Sequence, residues 1–121
     1  MRVLVAALVL AAPATAQDLD CSDWRSLPQQ PMNACLAQFY ALADTRLNTA
    51  YQAALASLSY DAGEQELLRV AQRAWIPFRD AACEVEAGYM RGGSGEPMMR
   101  FLCLRRITEQ RTADLEAMVR N

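Results

Sequence analysis

The 121-residue sequence contains no histidine, and all twelve of its basic residues are arginines, so lysine is absent too. Without histidine the chain lacks the commonest general base and metal ligand, and it cannot form a Ser-His or Cys-His nucleophile pair. Without lysine it cannot form a Schiff base. These absences argue against most hydrolytic and metal-dependent enzymes, and we expect a protein that is not an enzyme and carries no cofactor or metal.

Positive charge is also scarce. The chain has 14 acidic residues against its 12 arginines, for a net charge of −2. A weakly acidic protein is a poor match for the phosphate backbone, so we expect no nucleic-acid partner. The same charge suits a basic protein as the partner.

The first residues resemble a secretory signal peptide. One arginine precedes an apolar run over residues 3–12, and small residues at 14–16 form a cleavage site. The run is too short to span a bilayer, and no later segment is apolar enough, so we expect no membrane insertion. We therefore predict a signal peptide over residues 1–16, one domain over residues 17–121, and export as a soluble periplasmic or extracellular protein.

The four cysteines indicate two disulfides, because exported chains of this size commonly use them as staples. They lie at Cys21, Cys35, Cys83 and Cys103. No Cys-x-x-Cys spacing is present, and no histidine is available to complete a zinc site.

Apolar residues recur at steps of three and four along three segments, which predicts three helices and no strand. The first runs from Met32 to about Ser59, and Asp61 is placed to cap the second. The second is expected to end at the glycine cluster after Arg91, where Gly92 or Gly93 can take the left-handed conformation. The predicted core faces are Leu36, Phe39, Tyr40, Ala43, Leu47, Ala50, Tyr51, Ala54, Leu55 and Leu58 in the first helix, Leu67, Ala71, Ala74, Trp75, Phe78, Ala82, Val85 and Tyr89 in the second, and Phe101, Leu104, Ile107, Leu115 and Met118 in the third.

Short connections between helices force antiparallel neighbours. We therefore predict an all-α fold, an elongated antiparallel three-helix bundle of up-down-up topology stapled by two disulfides. Cys83 and Cys103 lie at similar distances on either side of the glycine turn, so they should face each other and bond. Cys21 with Cys35 then follows by elimination, although four cysteines permit three connectivities.

Three charged residues fall on the predicted apolar faces at about one height of the bundle, namely Asp44, Arg79 and Arg111. Charges in a core are costly unless they are paired, so we predict a buried ion pair of Asp44 with Arg79 or Arg111. Asn48 and Gln72 would add hydrogen bonds one turn away, and the indole of Trp75 would pack over the cluster. We interpret this polar core as structural. Pro77, inside the second helix, is expected to kink it.

Four stretches together resemble the LprI-like domain family, which is named for the lysozyme inhibitor LprI. They are "MNACLAQFYALADTRLNTAY", "LLRVAQRAWIPFRDAAC", "GGSGEPM" and "CLRRITEQRTADL", in this order. The resemblance extends from about Cys21 to Leu115. It implies an exported, disulfide-bonded helical domain of a family whose named member binds and inhibits lysozyme. The motif residues carry over as structural positions only: Asp44, Asn48, Tyr51, Gln72, Trp75, Arg79, Cys83 and Cys103.

If the protein inhibits a lysozyme, it must enter or cover an acidic cleft on a basic enzyme. The candidate partner-binding loop is the turn formed by Arg91, Gly92, Gly93, Ser94 and Glu96. Arg91 would pair with a carboxylate of the enzyme and Ser94 would hydrogen-bond to it. The alternative for this loop is purely structural, with the glycines ending one helix and Ser94 capping the next.

Two other functional classes remain open at this stage. An envelope interaction or structural module would bind another protein or a wall component through solvated helix faces. Its contact surface would include Glu64, Glu66, Arg69, Arg73 and Asp80. An enzyme ranks last, because nothing in the sequence resembles a nucleophile, a metal site or a nucleotide loop. Asp80 and Glu84, at i and i+4, could mimic the carboxylate pair of a hydrolase, but they are expected on the solvated face beside Arg73 and Arg91.

Overall fold

The computed structural model describes residues 19–120. Within them three long helices form an all-α bundle, with no strand in this part of the chain: α1 is Gln29–Ser57, α2 is Ala62–Ala87 and α3 is Glu96–Arg120. Short 3₁₀ turns occur at Trp24–Ser26 and Gly88–Met90. The predicted fold class is confirmed, whereas the predicted signal peptide lies outside the described residues.

Helix α1 places its predicted apolar face inside the bundle. Leu36, Ala43, Leu47, Ala50 and Ala54 are buried. The remaining members of that face are partly buried. A stripe of this width gives α1 one continuous contact surface, and α1 packs extensively along α3.

The turn between α1 and α2 is closed by the predicted cap. The Asp61 carboxylate accepts hydrogen bonds from the backbone N–H of Gly63 at 2.8 Å and of Glu64 at 3.3 Å. These two N–H groups would otherwise have no partner at the start of the helix. The side-chain amide of Gln65 donates to the carbonyl oxygen of Leu55 at 2.8 Å and so ties the two helices across the turn.

Helix α3 packs against both other helices. Its inner positions combine apolar and hydroxyl side chains: Cys103, Leu104, Thr108, Thr112 and Leu115 are buried. The predicted stripe is confirmed at Leu104 and Leu115, but it was wrong at Met118, which is 42% exposed near the helix end. None of the three helices, over the described range, has the length and apolarity needed to cross a membrane.

Both predicted disulfides are present. Cys21 is bonded to Cys35, with 5.6 Å between their Cα atoms, and Cys83 is bonded to Cys103, with 5.4 Å between theirs. The second bond joins α2 to α3 and lies in an apolar cluster with Leu104. The first bond anchors the N-terminal segment to α1.

Helix α2 is rotated relative to the prediction. Its buried residues are Leu68, Gln72, Arg79, Cys83 and Ala87. The predicted core residues Leu67, Phe78, Val85 and Tyr89 are instead 63%, 64%, 79% and 89% exposed. A shift of one residue turns a helix by about 100°, and the bond from Cys83 to α3 fixes that rotation. Helix α2 therefore carries more large apolar side chains outside than inside.

Candidate functional site

The polar core predicted from the sequence is centred on Arg79. Its guanidinium lies 3.6 Å from the Asp44 carboxylate and donates to the Asp80 carboxylate at 2.9 Å. The guanidinium carbon lies 5.0 Å from the ring centre of Trp75 and 5.6 Å from that of Tyr40. Arg79 is 8% exposed, so these partners compensate for much of the hydration it loses.

The ion pair is less buried than predicted, since the Asp44 side chain is 43% exposed. Arg111 makes a separate contact between α3 and α2, in which its Nε donates to Gln72 Oε1 at 3.0 Å. Asn48 is exposed on α1, so its predicted place in the polar core was wrong. A polar core of this kind positions α2 against its neighbours. Residues 19–120 contain no cluster of side chains that could hold a metal ion.

The turn between α2 and α3 is held by four charged residues, Glu84, Arg91, Glu96 and Arg100, which we call the hairpin ion cluster. Arg91 Nη1 donates to Glu84 at 3.1 Å and to Glu96 at 2.6 Å. Arg100 donates to both oxygens of Glu84, at 2.6 Å and 3.2 Å, and to Glu96 at 3.1 Å. The cluster links the end of α2, the turn and the first two turns of α3.

Hydrogen bonds lower the pKa of both acids of the hairpin ion cluster. Hydrogen bonds from Arg100 and then from Arg91 lower the pKa of Glu84 to about 2. The backbone N–H of Gly92, which donates to Glu96 at 3.1 Å, is the largest cause of the lowered pKa of Glu96. A carboxylic acid that is deprotonated at neutral pH cannot serve as a general acid.

The same turn is also held by a left-handed glycine, by a hydrogen bond from α1 and by close packing. Gly92 has a φ of 78°, the left-handed conformation predicted for this position. Asn33, in the first turns of α1, donates to the carbonyl oxygen of Ser94 at 2.9 Å. Gly95 is buried beneath Met90, and a Cβ atom there would lie 2.8 Å from the Met90 methyl carbon. The turn is therefore packed against α1 as well as braced by its own charges.

Of the five predicted loop residues, the first four are exposed and Glu96 is partly buried. Gly92, Gly93 and Ser94 are exposed, and Ser94 lies two positions before the first residue of α3, so its predicted capping role was wrong. Glu96 faces inward, with its side chain 18% exposed. Arg91 is fixed by its ion pairs and by a 2.9 Å hydrogen bond to the carbonyl oxygen of Glu84, yet its side chain stays 55% exposed.

Two members of the hairpin ion cluster, Glu84 and Arg100, were not predicted as site residues from the sequence. The spacing of Glu96 and Arg100 is a visible i, i+4 pair. Glu84 joins them only because the disulfide between Cys83 and Cys103 sets the register of the two helices. That combination was available from the sequence, since Glu84 directly follows Cys83.

The charged side chains considered for an alternative contact surface pair mainly with each other. Glu66 lies 3.0 Å from Arg73 and 3.7 Å from Arg69 on the solvent side of α2. Asp80 pairs with Arg79 instead of Arg73. Exposed pairs of this kind contribute little to stability.

Comparison with known proteins gives a family and two relatives without a described function. Residues 21–115 match the family described as lysozyme inhibitor LprI. An uncharacterized protein of Rhizobium meliloti is 37% identical over 98% of this chain and 96% of its own length. The uncharacterized protein YecT of Escherichia coli is 36% identical over 45% of this chain and 39% of its own length. No solved structure matches the chain significantly.

Proposed function

The chain belongs to the lysozyme inhibitor LprI family, and from this premise we propose that it is an exported, non-catalytic binding protein. It inhibits a lysozyme-type muramidase by covering the substrate cleft of the enzyme. Two disulfides support export, because such bonds persist in oxidising compartments. The leader-like residues 1–16 support it independently.

The absence of chemistry at the site supports inhibition by occlusion. The sequence offers no histidine or lysine, and the acids of the hairpin ion cluster are neutralised by arginines. Such a site has no nucleophile with an adjacent base. What it offers a partner is shape, backbone groups and fixed charge.

The cross-linking of the α2–α3 turn is the observation that carries the proposal. The turn is stapled by the disulfide between Cys83 and Cys103 and braced by the hairpin ion cluster. It presents Gly92, Gly93 and Ser94 to solvent. A preorganised projection loses little conformational entropy when it enters a cleft, and exposed glycines allow close backbone approach.

Arg91 acts in this proposal as a prepositioned cation. Its internal ion pairs hold the guanidinium in place, and the exposed part of the group faces outward. The weakly acidic protein as a whole is attracted to a basic muramidase, and complementary charge accelerates such encounters. Arg91 then meets a carboxylate of the cleft.

The test is lysis of a peptidoglycan suspension by chicken-type lysozyme, titrated with the oxidised protein lacking residues 1–16. We expect inhibition that saturates near equimolar protein and is lost when the disulfides are reduced. The Arg91→Ala/Ser94→Ala double variant should weaken inhibition by about tenfold or more, which corresponds to about 1.4 kcal/mol of binding.

A matched control is available at the opposite end of the bundle. The Arg69→Ala/Ser59→Ala double variant removes the same residue types near the α1–α2 turn, and it should inhibit like the wild type. Unchanged inhibition by the Arg91→Ala/Ser94→Ala protein, with the helical fold intact by circular dichroism, would exclude the turn as the inhibitory surface.

One observation favours a second candidate function, an envelope interaction module. Phe78 and Val85 on the outer face of α2 are 64% and 79% exposed, and exposed apolar side chains grouped on one face can mark a contact with another molecule. A folded protein that fails to inhibit lysozyme at large excess, but is retained by a cell-envelope fraction, would support this function instead.

A further inference from the structure

Two side-chain amides in the first turns of α1 form a relay that ends on the turn between α2 and α3. The Gln29 amide donates to the side-chain oxygen of Asn33 at 2.7 Å, and the Asn33 amide donates to the carbonyl oxygen of Ser94 at 2.9 Å. We call Gln29 and Asn33 the amide relay. Gln29 also lies beside the turn, since its Oε1 is 3.6 Å from the position that a Cβ atom on Gly95 would take.

The amide relay is not explained by the needs of its own helix. Helix α1 begins after Pro28 without a side-chain cap, so neither amide serves as one. Inside a helix, asparagine is less favourable than alanine because its side chain competes for backbone groups. Asn33 therefore weakens α1 locally, and its amide is used across the turn instead.

The carbonyl oxygen of Ser94 differs from its neighbours in where its hydrogen bond comes from. The carbonyl oxygens of Met90, Gly93 and Gly95 accept from N–H groups within the hairpin. That of Ser94 accepts from Asn33, on another helix. The hairpin ion cluster braces this turn through charge, whereas the amide relay braces it through neutral groups from α1.

We propose that Asn33 is a positioning residue of the α2–α3 turn, which holds the exposed backbone of residues 92–94 in the conformation that enters the muramidase cleft. The proposal rests on the function proposed above. A peptide group is planar, so one hydrogen bond to the Ser94 carbonyl orients the whole peptide between Ser94 and Gly95. Gln29 acts through Asn33, because its bond to the Asn33 oxygen leaves the Asn33 nitrogen facing Ser94.

The experiment compares Asn33→Ala with the wild type, both as oxidised proteins lacking residues 1–16. In the free proteins, NMR backbone order parameters at Gly92, Gly93 and Ser94 should be about 0.85 in the wild type and below about 0.6 in the variant. In the lysis assay with chicken-type lysozyme, the inhibition constant should rise about fivefold, as for the loss of one hydrogen bond. Alanine is a good helix former, so α1 should stay intact by circular dichroism.

Three further variants separate positioning from a general effect on α1. Asn48→Ala is the matched control, because Asn48 is exposed on the same helix, and it should change neither measurement. Asn33→Asp keeps the shape of the side chain, but its carboxylate cannot donate, so the turn should become as mobile as in Asn33→Ala. The Gln29→Ala/Asn33→Ala double variant should resemble Asn33→Ala alone, because residues that act in series are not additive.

Unchanged order parameters in Asn33→Ala, or a turn in Asn33→Asp that is as ordered as the wild type, would overturn the proposal. A mobile turn with unchanged inhibition would also overturn it, because the order of the turn would then not matter for binding. A wild-type protein that does not inhibit lysozyme would overturn the proposed function. The order parameters, measured without lysozyme, would still decide whether Asn33 holds the turn.

Discussion

Helices α1 and α2 have similar lengths, 29 and 26 residues, but they are held in the bundle in opposite ways. The buried positions of α1 are leucines and alanines together with Cys35. Those of α2 are one leucine, one glutamine, one arginine, one cysteine and one alanine. Apolar packing therefore holds α1, whereas a disulfide and a polar core hold α2.

This difference shows how an amphipathic helix can turn its more apolar face outward. Burial of the outer face of α2 would stabilise the fold by about 25 cal/mol per Å² of apolar surface. It would also require Cys83 to leave Cys103 and Arg79 to leave Asp44. Covalent closure and a paired charge fix the rotation, and the apolar face stays exposed.

The largest expected effect on stability comes from removing each disulfide in turn. Replacement of Cys83 and Cys103 by alanine should lower the free energy of unfolding by about 3 kcal/mol or more, as for a loop of this length, and hydrogen exchange should become fast throughout α2. Replacement of Cys21 and Cys35 by alanine, a matched pair, should free only the N-terminal segment. Equal protection of α2 in both proteins would contradict the view that the bond holds this helix.

Two adjacent leucines test the rotation of α2 directly. Leu68 is 5% exposed and Leu67 is 63% exposed. Leu68→Ala should cost about 2–4 kcal/mol in urea unfolding because it leaves a cavity, whereas Leu67→Ala should cost less than about 0.5 kcal/mol in the monomer. Measurements at low protein concentration avoid any contribution from association. The reverse order would place Leu67 in the core.

Much of the fold could be predicted from the sequence because the buried face of α1 follows directly from its apolar periodicity. Its apolar periodicity, the Asp61 cap and the symmetric placement of Cys83 and Cys103 about the glycine turn each have a local physical cause. The rotation of α2 was missed because periodicity alone favours the face with Phe78 and Val85. The inward placement of Cys83 was itself predicted, and it conflicts with that face.

The candidate site was predicted less completely because its contacts depend on tertiary register. Arg91 was expected to face a partner, and its ion pairs with Glu84 and Glu96 within the hairpin were not anticipated. The hydrogen bond from Asn33 to Ser94 joins residues 61 positions apart. No local pattern reveals a contact of that range.

The polar core offers a test of intermediate size. Arg79→Met keeps much of the side-chain volume but removes the cation beside Asp44 and Asp80. We expect a loss of about 1–2 kcal/mol, less than for a fully buried pair, because both carboxylates are partly exposed and can be rehydrated. Asp44→Asn should cost less, since Asp80 still pairs with Arg79. If Asp44→Asn instead lost more stability than Arg79→Met in thermal or urea unfolding, Asp44 would be the principal partner of Arg79.

The smallest expected effect is the acid sensitivity of the hairpin end of α2. Pairing with Arg100 and Arg91 lowers the pKa of Glu84 to about 2, from 4.5. Because the folded value is the lower one, the stabilisation is complete above about pH 4.5 and is lost as the pH falls toward 2. The melting temperature should therefore fall over this window, and Glu84→Gln should reduce that fall, whereas the control Glu66→Gln should retain it. Parallel curves for the wild type and Glu84→Gln would show that the hairpin ion cluster orders the turn without contributing to stability.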